Sequence, residues 1–267
     1  MMRYLAVLAA CLMATSSLSP AAAQPNASKP PAQDATESAK AKALLLRMAD
    51  YLAKAQSFSV TMDVSYDVVQ PSGQKIEFDE TRKVTLSRPD KLRIDGMEAD
   101  GDEHQVRFDG QDIVLYSPKE KVFGKLTRPG SVDETLYYIV NEMQTRLPLS
   151  LLLVTPIAAE LEKRVSEISL VERATVDGKP TDHLAARTDD LDFQVWIATG
   201  DVPVPLRVVI TYKKEPGQPQ FRATLSDWNF SPKIDPAMFT FVPPAGTERV
   251  AFMVPAAGKA APSAKGK

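Results

Sequence analysis

The chain has 267 residues, 44% of them hydrophobic, and 32 Lys+Arg against 34 Asp+Glu give a formal net charge of -2. That balance excludes the basic excess of a nucleic-acid binder, and after the leader no apolar run approaches the ~18 residues that span a membrane as a helix. The one cysteine, Cys11, excludes an internal disulfide framework and a multi-thiolate metal site.

Met1-Met2-Arg3, an apolar run from Tyr4 to Ala14 and then Ala21-Ala22-Ala23 read as a signal peptide over residues 1–23. Leu8-Ala9-Ala10-Cys11 also fits a lipoprotein cleavage site, which would put a lipid on Cys11. Either way the chain is exported, and the periplasm is the expected compartment. Residues 24–33 read as a flexible leader and residues 254–267, rich in Ala, Pro, Gly and Lys, as a disordered tail. One domain over 34–253 lies between them.

Asp34 and Glu37 have the spacing of a capping box, and Leu45, Met48, Ala49 and Leu52 recur with helical period, predicting a first helix. Strand signals follow. Phe58, Val60, Met62, Val64, Tyr66 and Val68 alternate with polar residues, so one face of an antiparallel sheet is buried and the other wet. Pro71-Ser72-Gly73 turns the chain into a second strand, Lys75 to Leu86. Short strands from Lys91 to Met97 and from His104 to Phe108 come next. Asp109-Gly110 turns the latter into Asp112 to Tyr116, and Val122 to Leu126 follows.

The period then changes. Ser131 and Glu134 form a second capping box ahead of Leu136, Ile139, Val140, Met143 and Leu147, and Pro148 ends that helix. Leu149 to Val154 is almost wholly apolar, and Pro156 starts another short helix. Strands resume over Ile168–Val176, Asp182–Arg187, Leu191–Ile197, Leu206–Tyr212 and Phe221–Phe230. Ten or eleven strands in meander order, with the helices segregated, make an α+β fold. It is a curved, mostly antiparallel sheet whose concave apolar face is covered by the helices.

No catalytic constellation can be assembled. Ser150 lacks the flanking glycines of a nucleophile elbow, and there is no phosphate-binding glycine loop. His104 and His183 read as surface or hairpin histidines, and the acidic run Glu98 to Glu103 lacks the spacing of a calcium loop. The expectation is a non-enzyme without cofactor or metal. The greasy short helices beside an apolar sheet face point to a cavity for an apolar ligand. Its expected lining is Val60, Met62, Val64, Phe78, Leu86, Phe108, Leu115, Ile139, Met143, Leu152, Phe193, Val208, Ile210 and Phe221.

Ser57-Phe58 after the helix, Arg88-Pro89-Asp90-Lys91-Leu92, Asp109-Gly110 with Leu115-Tyr116-Ser117-Pro118, and the closing run from Asp235 to Gly246 together resemble the LolA-like superfamily of periplasmic lipoprotein carriers. Within it the chain looks closest to uncharacterised predicted periplasmic proteins. The resemblance implies a half-barrel under a helical lid, with Arg88 as the residue that latches the lid. Leu92 stands beside the latch where the family has a phenylalanine used in passing cargo, a departure from the lipoprotein-trafficking pattern. The implied partners are a lipid or an acylated protein, with the protein acting as a monomer. An envelope protein partner, recognised by the wet face or an edge strand, and an unrecognised hydrolase remain as alternatives.

Overall fold

The computed structural model describes residues 31–252, with side chains from residue 35 onward. The expected signal peptide, Cys11, most of the leader and the tail over 254–267 lie outside the described residues.

Helix α1 (Pro31–Lys54) leads into six strands: β1 (Ser57–Val69), β2 (Lys75–Ser87), β3 (Lys91–Glu98), β4 (Glu103–Phe108), β5 (Asp112–Ser117) and β6 (Val122–Thr127). Helices α2 (Val132–Tyr137) and α3 (Ile157–Arg164) bracket an irregular stretch. Five strands return: β7 (Glu167–Val176), β8 (Lys179–Arg187), β9 (Asp192–Ala198), β10 (Pro205–Thr211) and β11 (Gln220–Asn229). A last short strand, β12 (Glu248–Val250), ends the fold. All twelve form one open sheet in the order β12-β6-β5-β4-β3-β2-β1-β11-β10-β9-β8-β7. The fold is therefore the α+β architecture read from the sequence, with one strand more.

That extra strand has too little pattern to be seen in advance. β12 is three residues long and pairs in parallel with β6, Glu248 opposite Val122. The chain reaches it by crossing the outer face of the sheet. There Phe239 is buried, and Phe241 packs between Tyr116 and Phe123 at centroid distances of 5.0 and 5.2 Å. Arg107 donates to the Thr240 carbonyl at 2.8 Å.

Strand β1 is the seam between the two meanders, paired to β2 over thirteen residues and to β11 on its other side. Alternation sends Phe58, Val60, Met62 and Val64 to the inner face, with Val84 and Leu86 of β2 and Phe221, Ala223 and Leu225 of β11 beside them. A bulge at Asp227 (φ 52°) shifts the parity of β11. Trp228 consequently points inward, tilted against Phe58 (5.4 Å) and stacked on Phe230 (5.8 Å), and its Nε1 donates to the Pro205 carbonyl. The α1 face Ala41, Leu45, Met48, Ala49 and Leu52 is buried in the same core.

The helices differ from expectation in their ends. α1 starts at Pro31, so Asp34 lies in its first turns rather than ahead of them. The Ser131–Glu134 box is formed in both directions, but α2 gives way at Tyr138 to a π-type turn ending at Glu142. Leu147 is therefore outside the helix. Leu149 to Val154 holds one 3₁₀ turn, Ser150–Leu153.

Phe58 is fully buried whereas Phe78, at an equivalent parity on β2, is 40% exposed. Chemical denaturation should therefore show Phe58→Ala losing about 3–5 kcal/mol and Phe78→Ala only about 1 kcal/mol.

Candidate functional site

The strap formed by residues 131–156 covers the inner face as three short helical pieces joined by irregular chain. Gln144 (φ 52°) and Leu149 (φ 64°) hold left-handed conformations that cost a non-glycine residue of order 1 kcal/mol or more. The strap is fastened by one main-chain bond at its start and otherwise by side chains. At its start the Val132 amide donates to the Pro89 carbonyl at 2.8 Å. The Arg128 guanidinium lies 3.9 Å from the Tyr138 ring centroid. Arg146 sits 4.0 Å over the Tyr212 ring and is ion-paired to Glu215 in the β10–β11 turn. Burial pushes the Tyr212 phenol up to about 12, against the opposing field of Arg146.

Arg88, at the end of β2, joins the pieces. Its Nη1 donates to the Leu153 carbonyl (2.7 Å) and to Thr155 Oγ1 (3.2 Å), and its Nε donates to the Ala55 carbonyl at the end of α1 (3.1 Å). Asp133 of α2 stands 3.7 Å away and also accepts from the Thr155 amide at 3.0 Å. Burial disfavours the Arg88 charge and Asp133 opposes that. One guanidinium thus binds the first helix, the strap and the sheet, which its planar fork of five donors suits it to do. Leu92, across β3 from Leu86 and Phe108, is buried core and makes no part of this contact.

Of the expected lining, Val60, Met62, Val64, Leu86, Phe108, Ile139, Leu152, Val208 and Phe221 are buried in one cluster. Leu115, Met143, Phe193 and Ile210 pack half-buried against it. The structure brings these thirteen together. Strap residues Ile139, Leu152 and Leu153 are themselves buried in that cluster, so in this conformation the inner face is met by side chains. Phe78 stands apart, stacked on Tyr66 at 6.0 Å near the rim. Two depressions of about 570 and 430 Å³ lie on the outer face. The larger is lined by polar groups including Asp63, Asp79, Arg207 and Arg222, and the smaller runs along β7 to β10.

The inner face also carries a polar row. Arg82 of β2 faces Gly96 of β3, which faces His104 of β4. His104 crosses over Gly96 to Glu80, with Nε2 3.0 Å from Oε1, and Arg82 grips both Glu80 oxygens from Nε (2.8 Å) and Nη2 (2.7 Å). His104 is thus an inward-facing partner of a carboxylate rather than a surface histidine. His183 is likewise not a surface residue: it is buried on the outer face, stacked on Trp196 at 3.9 Å with its Nε2 against Gln194. The sequence held a signal for the polar row, because Glu80 and Arg82 fall at the parity that alternation assigns to the buried face.

Burial alone would raise the Glu80 carboxyl, but hydrogen bonds from His104 and Arg82 outweigh it and hold the group at about 2. A depressed carboxyl adds stability above its unfolded value near 4.5, and that stability is lost as pH falls toward 2. Denaturation between pH 5 and pH 2, an interval of about 3 units, should show wild type losing more stability than Glu80→Gln. The difference should be about 3 kcal/mol at most.

No curated protein matches the chain. Among solved structures, it is similar to MucB in the complex of Pseudomonas aeruginosa MucA and MucB, at 17% identity and a TM-score of 0.41. The alignment covers 76% of this chain and 61% of MucB, so the chain spans less than two thirds of that protein's length. The lipoprotein LppX of Mycobacterium tuberculosis aligns at 17% identity and a TM-score of 0.46, over 74% of this chain and 99% of LppX. A LolA superfamily protein of Nitrosomonas europaea aligns at 11% identity and 0.34, over 75% and 97%. The model of one family, described as predicted periplasmic protein (DUF2092), matches residues 41–253, and the chain belongs to that family.

Proposed function

We propose that this protein is a non-catalytic periplasmic carrier that takes an apolar or acylated ligand, a lipid or a lipoprotein chain, between the inner face of the sheet and the strap. The observation that carries this reading is the way the strap is held. A cover of apolar side chains is fixed by one arginine, two cation–ring contacts and an ion pair, not by a strand ladder. Such a cover can lift as a unit without breaking the sheet, and the residues it would release are apolar. Each methylene transferred from water to that surface stabilises the complex by about 0.8 kcal/mol, so an acyl chain needs no polar chemistry to be held. Arg88 is the latch in this reading: its bonds to Leu153 and Thr155 exist only when the strap is down.

A second reading is an envelope protein-interaction module. The outer-face groove of about 570 Å³, with Met97 exposed at its edge, favours it.

Hydrogen exchange tests the latch. In Arg88→Leu the amides of residues 139–155 should exchange at least about tenfold faster, since a hydrogen bond to a charged group contributes about 1.5–3 kcal/mol, while those of β1 and β2 stay unchanged. Native mass spectrometry of protein purified from bacterial periplasm should show bound lipid. Repeated absence of lipid, together with no binding of an environment-sensitive fluorescent lipid, would overturn the carrier reading.

A further inference from the structure

We infer that the row Glu80–Arg82–His104 is a headgroup subsite, and that the ligand is an acyl chain ending in an anionic head, carboxylate or phosphate, received by Arg82 and His104. This rests on the carrier reading and adds the ligand's polar end.

The row is expensive for a purely structural feature. A buried ion pair is often no more stabilising than apolar side chains of the same volume, and here Glu80 is only 7% exposed, next to the core. A glycine inside a strand weakens it, yet at position 96 any side chain would push the His104–Glu80 contact aside. A Cβ there would stand 2.2 Å from His104 Nε2 and 2.6 Å from Glu80 Oε1. Two adjacent costs therefore maintain one arrangement.

The unused hydrogen-bonding atoms say what it receives. Both Glu80 oxygens are already bonded, so the carboxylate is spent on orienting its partners. Arg82 Nη1 and His104 Nδ1 make no hydrogen bond among the described residues, and both side chains keep about a third of their surface exposed. The unengaged guanidinium edge of Arg82 suits an oxyanion, and His104 Nδ1 joins it as a donor when the imidazole carries both protons, whereas a cationic head would meet the Arg82 charge.

Position agrees with this. Inward of the row lie Val60, Val84, Ile94 and Leu115, in the core or packed against it. Outward lie Tyr66 and the exposed Phe78 and Ile76. The polar row is thus the boundary between the covered apolar face and the open rim, where a chain inserted beneath the strap would end in its head.

The test compares a dansyl-labelled undecanoic acid with its methyl ester, by fluorescence titration of the full-length protein. Wild type should bind the acid about tenfold more tightly than the ester, as one charge-assisted hydrogen bond implies. The double variant E80Q/R82Q, checked for folding by circular dichroism, should bind acid and ester alike, with ester affinity unchanged from wild type. Lysophosphatidate should displace the acid and inorganic phosphate alone should not. Equal binding of acid and ester by wild type, an acid preference that survives in the double variant, or displacement by phosphate alone would overturn the headgroup subsite while leaving the carrier intact. Failure of both probes to bind would overturn the carrier reading, and this inference with it.

Discussion

The register between β1 and its two neighbours governs everything built on it. Thirteen consecutive residues of β1 pair with β2, and the same strand carries β11 on its other edge. A slip of one residue would turn Phe58, Val60, Met62 and Val64 to the solvent and bring Ser59, Thr61, Asp63 and Ser65 under the helices. The polar row depends in the same way on the next two pairings, β2 with β3 and β3 with β4, which set Arg82, Gly96 and His104 side by side. Core and polar row are both consequences of strand register.

The parts of this arrangement that were legible in the sequence are those that repeat. The alternation of β1, the Asp109-Gly110 hairpin and the Ser131–Glu134 box all recur in the structure, because each depends on neighbours two to four residues apart. The elements missed depend on partners far along the chain. β12 exists through β6, and α2 stops short because the chain over residues 138–149 is bent to reach Tyr212 and Glu215. Among the site residues, the resemblance pointed to Arg88, but Asp133 and Thr155 gave no local sign of joining it. Phe78 has the right parity for the core and lies beyond the reach of the helices, a limit that alternation does not encode.

The strap has no regular ladder to hold it, which sets where the fold is weakest. Local opening free energies follow the density of buried contacts and backbone bonds. The central strands have both, whereas the chain over residues 138–149 leans on a few cationic side chains and two left-handed residues. Nearby, Arg88 keeps a buried Nη2 without a partner, so the junction it forms is not fully satisfied even in the closed form.

The crossing of the last residues over the outer face has a consequence for how copies of the chain behave when crowded together. An open sheet has two bare rims, and a strand can be added at either. β12 occupies the β6 rim in parallel fashion, and Phe252 follows it to pack over Gly124 on the inner side. That leaves β7, whose pairing with β8 is bulged between Leu170 and Glu172 and whose surface bears Glu167, Glu172 and Arg173. Among the described residues one rim is thus reduced to an edge three residues long and the other is bulged and charged, two of the ways in which an open sheet blunts edge-to-edge growth.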